Sequence, residues 1–333
     1  MAKTRYLVTG GAGFIGSNLV AALVERGERV RVLDNLSTGF WENLDGIEQQ
    51  SQIERVTGDI RDAEAVAKAC EGVEVVFHEA ALGSVPKSVE LPVESDSANV
   101  HGTVRVLDAA RHAGVRRVIF AASSAAYGES EELPKRETMA PMPLSPYAVS
   151  KLAGENYLRV FAQLYGLETL SLRYFNVFGP GQTPDGAYAA AIPRFVDRAL
   201  RGDTIEIFGD GEQTRDFCFV KNTVGANLLA ADCSKKLEGQ VVNIAGARRI
   251  GLNDLVKELG RALGREVLVH HGAERAGDIR HSLGAIDAAR ELLGYEPSVR
   301  WEDGLAPTIA YLDALRSRGL GAAAKVTAEL WRR

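Results

Sequence analysis

The chain lacks the features that mark oxidising, membrane or metal-bound settings. Its 333 residues include three cysteines, Cys70, Cys218 and Cys233, with no C-x-x-C spacing. Free thiols in a reducing compartment are therefore expected rather than a disulfide framework. No apolar run reaches the roughly 20 residues that a bilayer-spanning helix needs. No basic-then-apolar leader precedes the first strand-like segment, so a cytoplasmic globular protein with no membrane partner is expected. Charge is close to balanced, 39 basic against 44 acidic residues for a formal −5, which gives no sign of a nucleic-acid surface. His270-His271 stands without further ligands at metal spacing, so no metal is assigned. No Pro- or Ser-rich linker divides the chain.

What is present begins at the N-terminus. An apolar strand over 5–9 runs into Gly10-Gly11-Ala12-Gly13-Phe14-Ile15-Gly16, and a helix with Leu19, Val20, Leu23 and Val24 on its apolar positions follows. Gly10 permits a tight turn, Gly13 lets backbone approach a pyrophosphate, and Gly16 allows close helix packing. The N–H groups of the first helical turn then face the phosphates. A second strand, 29–33, ends on Asp34, whose carboxylate suits ribose hydroxyls and repels a 2′-phosphate. Asn35-Leu36-Ser37, which follow, include no arginine to accept such a phosphate, which favours NAD over NADP. A third strand, 53–57, leads to Asp59 and Ile60, with Asp59 in reach of an adenine.

Further strands are predicted over 73–78, 117–122 and 168–173, with a helix over 99–113, and the alternation is that of a doubly wound α/β sheet. His78 reads as a structural histidine. Ala80, Ala81, Gly83 and Ser84 are small residues where backbone can lie close to a cofactor. The fifth strand ends in Ser123-Ser124-Ala125-Ala126-Tyr127-Gly128, on the carboxyl side where ligands bind such sheets, so Ser123 or Ser124 is a candidate partner for a substrate hydroxyl. A strand over 241–245 is expected to return to the first sheet, and helices over 252–263 and 301–316 follow.

Pro146-Tyr147-Ala148-Val149-Ser150-Lys151 opens a helix predicted to run to about Gly166, with Ser145 as N-cap and Pro146 in the first turn. Tyr147 and Lys151 stand one turn apart on one face. A phenol of pKa near about 10 is a poor base at neutral pH, and a neighbouring ammonium favours its phenolate.

Taken together, T-G-G-x-G-F-I-G, Asp34, Asp59-Ile60, the S-S-x-x-Y-G turn and Y-x-x-x-K resemble the extended short-chain dehydrogenase/reductases over essentially the whole chain. Downstream segments resemble those of the UDP-hexose and UDP-N-acetylhexosamine 4-epimerases. They are Arg173 to Pro180, Ala187 to Pro193, Gly211 to Phe217, and Arg275-Ala276-Gly277-Asp278. The resemblance implies a Rossmann fold with a mostly parallel sheet and a smaller C-terminal α/β lobe. Residues 1–175 would form the NAD-binding domain, with the strand near 241–245 returning to it, and 176–333 an interleaved UDP-sugar lobe. It implies Ser123, Tyr147 and Lys151 as the catalytic set, with Tyr147 and Lys151 also at the cofactor. Ser124, Asn176, Gln182, Arg215, Arg275, Asp278 and Ser282 would meet the UDP-sugar together with Gly83 and Ser84. Arginine forks suit a diphosphate. A homodimer is implied, pairing helices near 99–113 and 145–166.

Ser124 and Ala125 occupy places where dehydratases and UDP-glucuronate decarboxylases of the superfamily carry an acid, so water loss is not expected. UDP-glucuronate 4-epimerases remain the alternative, although Gly181-Gln182-Thr183-Pro184-Asp185-Gly186 differs from their usual loop. An NAD-sensing regulator of the same fold is the other alternative, and an intact Tyr147 and Lys151 argue against it. Ser282, four residues beyond Asp278, matches a gate that is small in relatives accepting N-acetyl sugars and tyrosine in those restricted to plain hexoses.

Overall fold

Short apolar segments separated by helices leave parallel pairing as the economical way to bury both faces of a sheet. The computed structural model, which describes residues 5–184, 190–274 and 280–332, has that arrangement. Strands β1 (Tyr6–Thr9), β2 (Val30–Asp34), β3 (Ile53–Thr57), β4 (Val75–His78), β5 (Arg117–Ser123) and β6 (Glu168–Tyr174) join the strand Glu238–Ile244 in one seven-stranded sheet. The spatial order is Glu238–Ile244, β6, β5, β4, β1, β2, β3, and every neighbouring pair is parallel. The returning strand expected at 241–245 therefore starts three residues earlier, and a register shift between Glu238 and Gln240 lets it pair with β6.

Strand alternation sends side chains to opposite faces. Tyr6 and Val8 enter one apolar layer with Leu19, Val20, Leu23 and Phe77, while Leu7 enters the other with Val76, Val118 and Leu158. Chain order reverses between β1 and β4, which places the topological switch point beside the glycine loop.

Beyond the sheet, Ile205–Phe208 pairs with Val269–Gly272, and Thr214–Arg215 pairs antiparallel with Ile250–Gly251. Helices Ala191–Arg201 and Leu252–Leu263 present apolar stripes to the main core. Helix Trp301–Arg318 turns at Gly319 (φ +82°) into helix Leu320–Glu329. This last helix was not expected from the sequence. It returns the chain to the helix that follows β1, Phe14–Glu25 (α1), where Trp331 Nε1 donates to Asn18 Oδ1 at 3.0 Å. Arg332 pairs with Glu48 in the same region.

Candidate active site

A cleft of about 650 Å³ lies across the carboxyl ends of β1, β2, β4, β5 and β6. Its floor at one end is the glycine loop. Gly10 has φ +70°, a left-handed conformation that glycine adopts without strain, and a Cβ there would lie 2.7 Å from the Ala80 backbone. A Cβ at Gly16 would lie 2.2 Å from the Gly10 carbonyl oxygen, so the helix packs too closely on the loop for any side chain. Gly13 is the N-cap of α1 without a side-chain cap, so the first-turn N–H groups of that helix have no capping side chain among the described residues. Asp34 is buried at the end of β2. It accepts from Ala12 N–H at 2.9 Å and Leu36 N–H at 2.8 Å, which ties this carboxylate to the glycine loop. Burial pushes its carboxyl up, and the two backbone donors oppose that rise.

Asp59 accepts from Asn35 Nδ2 at 2.8 Å and from the Arg61 guanidinium at 2.9 and 2.7 Å. The Arg61 hydrogen bonds hold its carboxyl below the ordinary range. Arg61 lines the cleft too and was not singled out from the sequence. A helix terminus, close glycine backbone and an acidic residue at the end of β2 fit a dinucleotide of the NAD type.

The Pro146–Tyr165 helix carries the candidate catalytic groups. Ser145 Oγ caps it through Ala148 N–H at 3.2 Å, Pro146 occupies the first turn, and Gly166 ends it at φ +69°. Ser88 Oγ accepts from the Tyr147 N–H at 3.1 Å, and Asn99 Nδ2 donates to Ser150 Oγ at 3.0 Å, which fixes the helix against the short helical turns Val85–Glu90 and Ser97–His101 that follow β4. Ser123, Tyr147 and Lys151 all line the cleft.

The ammonium of Lys151 does not sit on the phenol as helical spacing suggests. It donates to the Ala121 carbonyl at 2.8 Å, stacks over Phe120 at 4.8 Å and lies 5.9 Å from the Tyr147 ring centre. Burial pushes the Tyr147 phenol up, opposed by a hydrogen bond with Ser123 and assisted by the Glu79 charge. The lowered phenol expected from one turn of helix is thus not a property of the pair alone. Burial pulls Lys151 down to about 8, while Glu79 and Glu155 oppose the fall.

Glu79, which follows β4, and Tyr174, which ends β6, complete the cleft on this side. Their hydrogen bond is 2.8 Å, and Asn227 Nδ2 donates to the same phenolic oxygen at 2.7 Å. Neither residue stood out in the sequence as part of the chemistry. His78 is the structural histidine expected. Thr103 Oγ1 spends its proton on the Asn99 carbonyl and so accepts from His78 Nε2, while His78 Nδ1 accepts from Thr9 Oγ1. Full burial pulls this imidazole down to about 3, so it stays neutral.

Of the remaining residues singled out in the sequence, Phe14, Ile15, Ile60, Ala80, Ala81, Gly83, Ser84, Asn176 and Gln182 line the cleft. Asn176 takes a left-handed φ of +28°, and its amide donates to the Asp216 carbonyl at 3.1 Å. Gln182 Oε1 is buried without a hydrogen-bond partner among the described residues. Ser124 lies in the 3-10 turn Ser124–Tyr127, off the cleft wall. Arg215 and Ser282 also stand outside that wall, beside Thr214, whose carbonyl accepts from Arg215 Nη1 at 3.0 Å and from Ser282 N–H at 3.1 Å. Arg275, Asp278 and the segment 187–189 lie outside the described residues. Among the described residues there is no cluster of metal-ligating side chains and no helix long and apolar enough to cross a membrane.

Comparison with known proteins gives a consistent assignment. A UDP-glucose 4-epimerase of Mycolicibacterium smegmatis is 40% identical over 309 residues, covering 92% of this chain and 98% of that protein. The solved UDP-N-acetylglucosamine 4-epimerase of Methanobrevibacter ruminantium, in complex with UDP-N-acetylmuramic acid, superposes with a TM-score of 0.89 at 37% identity. It covers 94% of this chain and 99% of its own. The UDP-glucose 4-epimerase of Thermotoga maritima with UDP-glucose gives a TM-score of 0.87 at 39% identity, covering 94% and 100%. With its glycine loop, buried Asp34 and Tyr147–Lys151 helix on one cleft, and a match to the family profile over residues 6–245, the chain belongs to the NAD dependent epimerase/dehydratase family.

Proposed function

We propose that the chain interconverts UDP-sugars at C4, acting on UDP-glucose and UDP-galactose and also on their N-acetylhexosamine counterparts. The observation that carries this reading is the convergence of Ser123, Tyr147 and Lys151 on the cleft that holds the glycine loop and Asp34. Bound NAD supplies a reversible hydride acceptor. Tyr147, as phenolate, takes the proton of the sugar 4-hydroxyl and returns it later, which makes it general base and then general acid. Ser123 orients the 4-oxygen, and the buried Lys151 ammonium stabilises negative charge at the phenol. Ser124 assists from the adjoining turn.

Gly10, Gly13, Phe14, Ile15 and Gly16 would hold the pyrophosphate, with Asp34 and Asn35 at the adenosine ribose and Asp59 and Ile60 at the adenine. Ala80, Ala81, Tyr147 and Lys151 would stand on the nicotinamide side. Asn176, Arg215, Arg275 and Asp278 are assigned to the UDP moiety, while Gly83, Ser84, Gln182 and Ser282 are assigned to the sugar. The unpartnered Gln182 Oε1 is an acceptor suited to an acetamido N–H. Neither Ser124 nor Ala125 is acidic, which argues against a dehydratase. Residues 1–175 with the returning strand serve as the cofactor domain and the remainder as the sugar lobe.

Purified protein incubated with a panel of UDP-sugars and no added NAD tests the reading. Products resolved by chromatography should be C4 epimers, with no net NADH. Stoichiometric NADH or a 4-keto-6-deoxy product sinks it.

A further inference from the structure

We propose that Glu79 is a positioning residue of this cleft, whose carboxylate is the counter-charge that keeps Lys151 protonated and sets the pH window in which Tyr147 acts. The proposal rests on the Tyr147–Lys151 assignment above and adds the group that governs it.

The hydrogen bonds around Tyr174 single out Glu79 as that group. Asn227 Nδ2 donates both to the Thr223 carbonyl at 3.0 Å and to Tyr174 Oη at 2.7 Å. Because a main-chain carbonyl can only accept, the amide nitrogen is the atom facing Tyr174. The phenolic oxygen therefore accepts from Asn227, and its single proton goes to Glu79 Oε1 at 2.8 Å. Glu79 is held as an acceptor by a network that spans three elements, with no cation paired directly to it among the described residues.

Lys151, in turn, has one hydrogen bond among the described residues for its three donors, the Ala121 carbonyl. The other carboxylate close enough to affect its charge, Glu155, is already engaged at both oxygens by Arg173, at 2.8 and 2.7 Å. Glu79, which lines the same cleft as Lys151, Tyr147 and Tyr174, is thus the carboxylate left among the described residues to balance the buried ammonium. The remaining groups around it do not supply that charge. His78 is buried and neutral, Tyr174 is held far above neutrality by burial, and the buried Cys218 thiol behind it is pushed up to about 12. Burial raises Glu79 to about 7 and lowers Lys151 to about 8, so the two titrations overlap around neutrality.

The sign of the effect follows. A negative Glu79 favours the charged Lys151 and disfavours the Tyr147 phenolate, so it raises both apparent pKa values. Glu79→Gln keeps the shape and an acceptor for Tyr174 while removing the charge. Both limbs of the kcat/KM pH profile should move to lower pH by on the order of one to two units, the size a unit charge produces at about 6–12 Å for an effective dielectric constant near 20. Difference ultraviolet titration of the phenolate, with a Tyr147→Phe background subtracted, should show the same downward shift for Tyr147. Glu79→Asp, which retains the charge, should return the limbs toward their original positions even if turnover falls.

If Glu79→Gln does not fold, Tyr174→Phe provides the second arm. Without its donor the carboxyl protonates at higher pH, so the acid limb should move downward and the base limb should stay nearer its place. Unmoved limbs together with an unmoved phenolate titration, or a shift to higher pH, overturn the proposal. Absence of epimerisation in the unsubstituted protein would count against the reaction assigned above, while the phenolate titration would still decide for or against Glu79 on its own.

Discussion

Removing the carboxylate of Glu155 should be among the most damaging single changes in the core, although the residue is not assigned to the chemistry. Glu155 and Arg173 form a two-pronged ion pair between the Pro146–Tyr165 helix and β6, with side chains 2% and 4% exposed. Arg173 also lies over the Tyr127 ring at 4.6 Å, and its Nη1 already has no partner among the described residues. Glu155→Ala leaves a guanidinium that cannot lose its proton in a site that water does not reach. Breaking a buried pair from one side costs about 3–5 kcal/mol, against total stabilities of about 5–15 kcal/mol. Urea unfolding followed by circular dichroism, with an unchanged m-value, should register that loss as a lower midpoint. The double variant Glu155→Leu with Arg173→Met removes both charges and should recover most of it, because the pair's attraction is largely spent on its own desolvation. A single-variant loss under about 1 kcal/mol, or a double variant no better than the single, would refute the reasoning, since a cost of the larger size arises only where the orphaned charge stays dry.

Tyr147→Phe should reduce turnover by about 10²–10⁴ while UDP binds as before, the usual worth of a positioned acid–base group; calorimetric titration with UDP and a rate assay check both halves, and near-full activity removes Tyr147 as the base. Ser282→Tyr should lower activity on N-acetyl sugars by on the order of 10–100-fold and spare plain hexoses, since a ring beside the acetamido group costs about 1–3 kcal/mol in overpacking; equal losses on both substrate pairs exclude the gate. We also propose the homodimer that the resemblance implies, pairing helices near 99–113 and 145–166, the second of which exposes Val149, Val160 and Leu164; Leu164→Glu should then shift the sedimenting species to monomer, and an unsubstituted protein that sediments as a monomer excludes it.

Much of the fold was readable because its determinants are local. The glycine loop, Asp34 at the end of β2 and the Ser145-Pro146 helix start each depend on residues within a turn or two of one another. The return of the late strand to the first sheet was expected from the sequence, but its neighbour, β6, and its earlier start at Glu238 came only from the structure. Other features depend on residues far apart. Glu79 sits in an ordinary-looking His-Glu-Ala-Ala stretch, and its significance comes from Tyr174, 95 residues later. The one-turn spacing of Tyr147 and Lys151 placed them on one face, but burial against Phe120 and the Ala121 carbonyl decided where the ammonium points. Arg215 and Ser282 illustrate the reverse case. Their motifs are recognisable, yet both are attached to Thr214 beyond the described cleft wall rather than within it. The terminal helix gave no motif at all, because its role is to pack on helix Trp301–Arg318 and on α1.

That terminal packing has a consequence for the order in which the protein can be completed. Asn18 belongs to α1, yet the indole that satisfies its side-chain oxygen is 313 positions downstream. A ribosome releases the strand, the glycine loop and α1 well before Trp331, and 313 positions of chain separate the two partners of this bond. Domains emerging during translation normally fold as units from the N-terminus onward. Here α1, however well it packs on the way out, keeps an unfinished contact until Trp331 has left the exit tunnel, so the helix that follows the glycine loop gains its last side-chain partner long after its own synthesis.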